Sequence, residues 1–248
     1  MNFLVVLGIA LVHRNWFGGN QVYDILPLDK WFTLLHSLIT TSPLRFVVAV
    51  VFPTMLLLWF SLLIEDWLFG LCYLLLCIFV LLTGIDVLDL DLHKDGLEDE
   101  IANQLPYLFF QSIFPSLFWF LILGPVGVCF YILGERYCRY CEDLKLDSPT
   151  LEQMLHCMEW IPARLTGFIF ALLGEFRGGF GAWIDAFSDL SLSNADFLNI
   201  VARASVMLDE GVESYSKEKL DPPPLHWLLE KTVWGWVAFT AVLTVWGW

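Results

Sequence analysis

Charged residues are scarce in this chain of 248 residues, and their scarcity limits what the protein can be. Only 16% of the residues are charged and 58% are hydrophobic, whereas a soluble globular domain carries roughly a quarter of charged residues. Lys and Arg number 13, against 27 Asp and Glu. A nucleic-acid binder or a peripheral protein held on anionic lipid needs clusters of basic residues. The composition therefore argues against both classes and indicates an integral membrane protein.

Recognised catalytic motifs are also absent from the sequence. It contains no Gly-x-x-x-x-Gly-Lys phosphate loop, no Gly-x-Ser-x-Gly and no His-Glu-x-x-His. The five histidines are scattered through different segments, and six cysteines are too few for a disulfide scaffold. We therefore expect no catalytic residue and no cofactor.

What the sequence does have is a series of long apolar runs. A spanning helix needs roughly 20 apolar residues. The N-terminal run 3–12 is shorter and resembles the apolar part of a signal sequence, but no basic residue precedes it and no small-x-small cleavage site follows. We therefore interpret it as retained. The predicted spans lie near 46–64, 67–85, 106–133 and 231–248, and a polar, amphipathic helical part covers 135–225.

Several prolines and glycines interrupt these runs. Pro53 is expected to kink the first span, and Gly124, Pro125 and Gly127 are expected to break the third, giving either a kinked helix or two helices. Such residues most often mark close helix packing. Ser148-Pro149 predicts a helix start. The segment 178–181, Gly-Gly-Phe-Gly, is predicted to be a flexible turn.

Two segments have an incomplete resemblance to metal sites. Cys138 and Cys141, with His156 and Cys157 further along, offer zinc ligands, but the second half lacks the usual spacing. The acidic loop 86–100 begins like a calcium loop with Asp91, His93 and Asp95, yet its twelfth position is Ala102, where a Glu is needed. We favour two interfacial cysteines and a solvated acidic loop, and predict no metal site.

One basic residue stands close to an apolar run. Arg164 precedes the run 167–173 and follows Glu159 and Pro162. A charge at the membrane usually faces the interior of a helix bundle and has a partner. Arg164 is therefore either an anion-binding residue, with Pro162 and Glu159 beside it, or one half of an internal salt bridge, for instance with Glu159.

The region around Arg164 also resembles a known family. Residues 160–174 read Trp-Ile-Pro-Ala-Arg-Leu-Thr-Gly-Phe-Ile-Phe-Ala-Leu-Leu-Gly, and this stretch is similar to one in the AmpE/CobD/CbiB family of membrane proteins. Three further pieces agree in order. Residues 114–119 are similar to the family's Ala-Pro-Leu-Phe segment, 124–127 to its glycine-proline turn, and 182–203 to the stretch that follows. The resemblance covers roughly 106–210.

The family has a regulatory branch, linked to β-lactamase induction, and a cobalamin branch that makes adenosylcobinamide phosphate. The cobalamin branch carries a Glu-Asn-x-x-Asp group where this chain has the apolar and aromatic residues 106–110. It carries Asn-Thr-x-Asp near the positions where this chain has 134–137. Carboxylates and amides of that kind suit magnesium, phosphate or amine handling. Of the shared pattern this chain keeps Pro162, Arg164 and Leu165, so the resemblance implies the regulatory branch.

These observations together predict an all-α fold, namely a polytopic helical integral membrane protein with amphipathic or interfacial helices, forming a single membrane-embedded domain over 1–248. We expect a multi-pass protein of the bacterial inner membrane, with the polar half cytoplasmic. The resemblance implies a regulatory accessory protein of β-lactamase induction and cell-wall recycling, without its own catalysis, that works with a cytoplasmic amidase pathway or another membrane protein. The alternatives are a diverged CobD/CbiB-type synthase and a structural subunit of a membrane complex.

Overall fold

The described part of the protein is built from helices. In this computed structural model the described residues are 28–39, 41–64, 71–84, 99–145, 149–189, 191–206 and 224–245, and no strand occurs among them. The all-α prediction is confirmed. The helices are α1 Leu28–Leu38, α2 Ser42–Phe46, α3 Phe52–Ile64, α4 Leu71–Gly84, α5 Asp99–Asp143, α6 Pro149–Leu173, α7 Phe176–Phe187, α8 Asn194–Val206 and α9 Pro224–Val245.

Some predictions concern segments outside these residues. They are the N-terminal run 3–12, the acids Glu65 and Asp66 between the first two spans, and the acidic loop 86–100 up to residue 98, with its calcium-like beginning.

A π-helical turn, Val47–Val51, joins α2 to α3. The backbone N–H of Phe52 donates to the carbonyl of Val47, five residues earlier, which is the hydrogen bond that defines a π-helix. Pro53 follows at once and has no N–H to donate, so the helix must rearrange its bonding just before it. The hydroxyl of Thr54 donates to the carbonyl of Val50 at 2.7 Å and satisfies part of the disturbed turn. The irregularity expected at Pro53 therefore falls on the turn that precedes it.

The long helix α5 is broken at Gly124. Its backbone there has φ 63° and ψ −150°, a conformation open almost only to glycine. Three residues on, a Cβ at Gly127 would press against the carbonyl of Trp119, so the chain approaches itself closely after the break. The segment is thus two helices joined at Gly124, about 37 Å and about 28 Å long at 1.5 Å per residue.

Two helical stretches are long and apolar enough, by length and composition, to cross a membrane. They are Leu44–Leu63 and Gln104–Asp143 among the described residues. In the most apolar part of the first stretch, only 22% of the residues are buried within the protein. Large apolar side chains of α3, such as Met55, Trp59 and Leu62, are more than half exposed.

By its internal contacts the chain separates into two compact units. The single membrane-embedded domain expected from the sequence stays a prediction. The first unit comprises the described residues of Met1–Val87 together with Pro115–Met158. In its core, Phe32 of α1 meets the ring of Tyr137 edge-on at 5.4 Å. Other buried members of this core are Leu35, Ala49, Val50, Leu133, Cys138, Cys141 and Leu151.

The second unit comprises the described residues of Leu88–Phe114 and Glu159–Trp248. Its central ring pair is Phe114 of α5 and Trp236 of α9, stacked with centroids 5.6 Å apart. In addition, the indole N–H of Trp236 donates to the hydroxyl of Thr166 at 3.1 Å, which ties α9 to α6. Other fully buried side chains of this unit are Phe109, Phe110, Phe170, Phe197, Leu198, Leu228 and Leu229.

The prediction of a flexible turn at residues 178–181 is wrong, because these residues lie inside α7. Gly178 and Gly179 pack against Ala204 and Ser205 of α8, where any side chain would collide. The glycines therefore serve close helix contact and not chain reversal. By contrast, the helix start predicted at Pro149 is confirmed, since α6 begins there.

Candidate functional site

Helix α6 carries the three residues singled out from the sequence. Glu159, Pro162 and Arg164 are all buried within the second unit. Glu159 and Arg164 are five positions apart, which is a rotation of about 140° around the axis at 3.6 residues per turn. They consequently point in different directions and belong to two separate clusters.

The first cluster surrounds the guanidinium of Arg164, which is only 2% exposed. Its Nη1 donates to Oδ1 of Asn194 at 3.2 Å and its Nη2 to the carbonyl of Asp189 at 3.2 Å. Its Nε donates to the carbonyl of Phe187 at 3.5 Å. The ring of Phe197 lies 4.0 Å from the guanidinium carbon. The planar guanidinium of arginine is suited to such a site, because it donates several hydrogen bonds in its plane while its face stacks on an aromatic ring.

These partners show what Arg164 does for the fold. Phe187 is the last residue of α7 and Asn194 the first of α8. The final carbonyls of a helix lack partners within it and carry the negative end of its dipole, so a cation is favourable there. The backbone carbonyl of Arg164 itself accepts the indole N–H of Trp183 at 2.9 Å. Arg164 thus holds the end of α7, the connection and the start of α8 on α6.

The charge of Arg164 is compensated at longer range. Burial lowers the pKa of Arg164, and the negative charge of Asp189 acts in the opposite direction. The pKa of Asp189 is itself held below its usual value, chiefly by hydrogen bonds from Ser191. The described hydrogen bonds of the guanidinium all end on neutral carbonyl and amide oxygens.

The second cluster surrounds Glu159, which is 1% exposed. Its Oε2 accepts the hydroxyl of Tyr107 at 2.8 Å, and its Oε1 accepts the amide of Gln111 at 3.2 Å. The same amide group donates to the Tyr107 oxygen at 2.8 Å. A buried carboxylate is stable only when hydrogen bonds replace its lost water. This network provides them from α5.

Pro162 lies between the two clusters on α6. Its carbonyl accepts the hydroxyl of Thr166 at 2.8 Å, and that hydroxyl also accepts the N–H of Trp236. The proline therefore stands beside a polar contact between α6 and α9 inside an apolar core. The described hydrogen bonds place Glu159 and Arg164 in two different networks, and ligand binding by Pro162, Glu159 and Arg164 stays a prediction.

The partners of these residues were not singled out from the sequence. Tyr107 and Gln111 are polar members of an apolar run, spaced four apart as on one helix side, and this spacing was an available signal. Asn194, as a helix-start residue in a polar segment, gave no distinguishing signal.

The remaining predicted positions lie in the first unit. The break in α5 lies at Gly124, and Pro125 and Gly127 follow it in the second half of the helix. Cys138 and Cys141 are free thiols buried in the core of the first unit. Among the described residues, no three His, Cys, Asp or Glu side chains group together as metal ligands would.

Comparison with known proteins places the chain in a family. The family described as regulatory signalling modulator protein AmpE matches residues 82–248, well over half of the sequence. The chain belongs to the AmpE family. A curated relative, Protein AmpE of Shigella flexneri, is 25% identical over 155 residues, which cover 60% of this chain and 53% of the relative. The chain therefore spans about half the length of that relative. No solved structure matches.

The AmpE match includes both clusters on α6. It begins near the end of α4 and takes in α5 to α9 completely, whereas the first apolar stretch, Leu44–Leu63, precedes it. The family description names a regulatory signalling modulator and no reaction.

Proposed function

We propose that this AmpE-family chain is a multi-pass protein of the bacterial inner membrane that modulates β-lactamase induction without catalysing a reaction. The observation that carries the proposal is the AmpE match over residues 82–248, whose description is a regulatory signalling modulator. The residues at the centre of the second unit support a role without chemistry, because Arg164 and Glu159 are both buried and their described hydrogen bonds join helices.

The membrane location is supported by the surface of α3. Eight large apolar side chains of this helix are exposed, among them Trp59 at 63% and Leu62 at 65%. Exposed apolar surface on this scale costs free energy in water and is favourable in lipid. Extraction of membranes with alkaline carbonate tests the location. The protein is expected in the pellet, and recovery in the supernatant contradicts the proposal.

The regulatory role is tested by deleting the gene and inducing β-lactamase with a β-lactam. The dose of inducer that gives half-maximal enzyme activity is expected to shift, and wild-type protein supplied in trans is expected to restore it. The Arg177→Ala variant is the control for this complementation. Because its side chain on α7 is exposed, it is expected to restore induction as the wild-type protein does. An unchanged induction curve, with normal protein levels in the parent strain, overturns the role.

The partners of the pathway belong to the same proposal. We infer a functional link to a cytoplasmic amidase pathway or to another membrane protein, and we propose Arg164, Pro162 and Glu159 as the residues that bind a ligand. The absence of catalysis is tested with purified protein, cobyric acid, aminopropanol phosphate, ATP and Mg²⁺. No product is expected, and turnover by wild type that is lost in Arg164→Ala favours the synthase instead.

A further inference from the structure

A row of aromatic side chains, which we call the aromatic ladder, runs along one side of α7. Phe176 and Phe180 stack with centroids 5.0 Å apart, Phe180 and Trp183 are 5.8 Å apart, and Trp183 and Phe187 are 4.8 Å apart. Spacings of three and four residues place side chains on the same side of a helix. Phe176 and Phe187, the two ends of the ladder, are 51% and 38% exposed.

Contacts on the other sides of α7 fix how the helix is turned about its own axis. Gly178 and Gly179 pack on Ala204 and Ser205 of α8, and the close contacts leave no room for a side chain there. The ladder cannot turn toward α8 without losing this fit. On the α6 side, the ring of Phe168 supports the middle of the ladder, with its centroid 5.4 Å from that of Trp183. The outer edges of the ladder are consequently held facing away from the core.

The exposed apolar surface extends beyond the ladder. Leu172, one turn after Phe168 on α6, is 51% exposed. The next residue, Leu173, lies against Gly235 of α9. This glycine falls within the span that the sequence predicts near residues 231–248. The apolar surface of α7 and α6 therefore borders the predicted span within the same unit.

The charges of α7 lie on another side of the helix. Arg177 and Asp185 are exposed and are rotated away from the ladder by about a quarter to half a turn at 3.6 residues per turn. A single basic residue gives little attraction to anionic lipid, so any affinity of this surface for a bilayer must come from its apolar side chains.

We propose that α7 lies flat in the membrane interface, with the aromatic ladder inserted between lipid chains and with Arg177 and Asp185 in water. Aromatic side chains are enriched at this depth, and an amphipathic helix of this pattern is stable in the interface plane. The occupant of the surface is the bilayer itself, because the ladder adjoins exposed Leu172 of α6, whose neighbour Leu173 contacts α9, the helix that the sequence predicts to span the membrane. The inference rests on the proposed membrane location.

The test replaces Phe176 or Phe187 with photoreactive benzoylphenylalanine in the full chain, reconstituted in phosphatidylcholine vesicles. Both positions are exposed and already aromatic, so the fold is retained. The matched controls carry the same group in place of Arg177 or Asp185. After irradiation, intact-protein mass spectrometry is expected to show several-fold more lipid adduct at the ladder positions. The excess is expected to persist when anionic lipid is added.

A fifth variant, with the photoreactive group in place of Trp59 on α3, reports on the membrane location separately. Lipid adducts at position 59 combined with equal labelling at ladder and control positions overturn the inference and leave the location intact. A lack of lipid adducts at position 59 contradicts the location itself. Adducts from Phe176 or Phe187 to another protein or to a second copy of the chain, in place of lipid, overturn the inference as well.

Discussion

At the scale of single residues, Arg164 and Glu159 solve the same problem in different ways. Each is a chargeable group removed from water, which is costly unless hydrogen bonds replace the solvent. Arg164 uses helix-end carbonyls, an amide oxygen and an aromatic ring, while Glu159 uses the donors of Tyr107 and Gln111. In both cases the partners come from another helix or from the connection between helices, so each residue links separate parts of the chain.

Substitution of Arg164 by lysine is expected to lower the free energy of unfolding by about 2–3 kcal/mol. Lysine keeps the charge, but its single ammonium cannot reach the acceptors of Asn194, Asp189 and Phe187 together. The measurement is thermal unfolding of purified protein in detergent, followed by circular dichroism. The exposed Arg177→Lys variant is the control and is expected to change stability by less than about 0.5 kcal/mol. Equal melting temperatures for the two variants contradict this assignment.

The hydrogen bond between Tyr107 and Glu159 is expected to appear as a coupling in a double-mutant cycle. Tyr107→Phe removes the donor and Glu159→Gln changes the acceptor, so the double variant loses less stability than the sum of the two. Denaturant unfolding in mixed micelles is expected to give a coupling of about 1–2 kcal/mol. Strictly additive losses would mean that the two groups act independently.

Sequence reasoning found the buried charges but not their partners. Arg164 and Glu159 stand out because charges beside apolar runs are rare. Tyr107 is 52 positions from Glu159 and Asn194 is 30 from Arg164. Which residues meet across helices depends on helix rotation and packing, which the period of a single sequence does not determine.

At the scale of elements, glycines decide how closely the helices pack. The resemblance of Gly-Gly-Phe-Gly to a turn was misleading, because glycine serves chain reversal and close helix contact equally well. The break at Gly124 was predictable, since proline follows it at once. The π turn at Val47–Val51 was not, because only the fold determines how a proline's missing bond is accommodated.

Two glycines of α7, two positions apart, are expected to respond to alanine in opposite ways. A Cβ at Gly179 would collide with Ser205 and with the backbone of Ala171, whereas a Cβ at Gly181 would meet nothing within 4 Å. Gly179→Ala is expected to destabilise the protein by about 1–3 kcal/mol. Gly181→Ala is expected to stabilise it by about 0.5–1 kcal/mol through helix propensity. A Gly179→Ala variant that melts at or above the temperature of the wild type contradicts the α7–α8 contact.

At the scale of the whole molecule, exposure has a different meaning in water and in lipid. Apolar side chains on the outside of α3 are a liability for a soluble protein and an advantage for one that spans a bilayer. Composition alone indicated this distinction, because few charges and long apolar runs need no knowledge of packing. The division into two units was not predictable, since it depends on contacts between distant segments.

Met55 distinguishes the two environments directly. It lies near the middle of the stretch Leu44–Leu63 and is 54% exposed. If α3 spans the bilayer, Met55→Arg costs about 2.5–3.5 kcal/mol on insertion scales and is expected to reduce the membrane-integrated fraction. Glycosylation mapping or protease protection measures that fraction. Leu144→Arg, at an exposed position just after α5, is the control and is expected to insert normally. Equal insertion of both variants argues that α3 lies outside the hydrocarbon.

The attachment of α7 and α8 by Arg164 also sets an order of folding. Its hydrogen bonds span 23 to 30 positions along the chain, whereas the bond from Trp236 to Thr166 spans 70. Short loops close at lower entropic cost and earlier than long ones. During synthesis, α6, α7 and α8 are therefore able to assemble as soon as residue 206 has left the ribosome. Helix α9 follows them and packs on α6, which α7 and α8 have already joined.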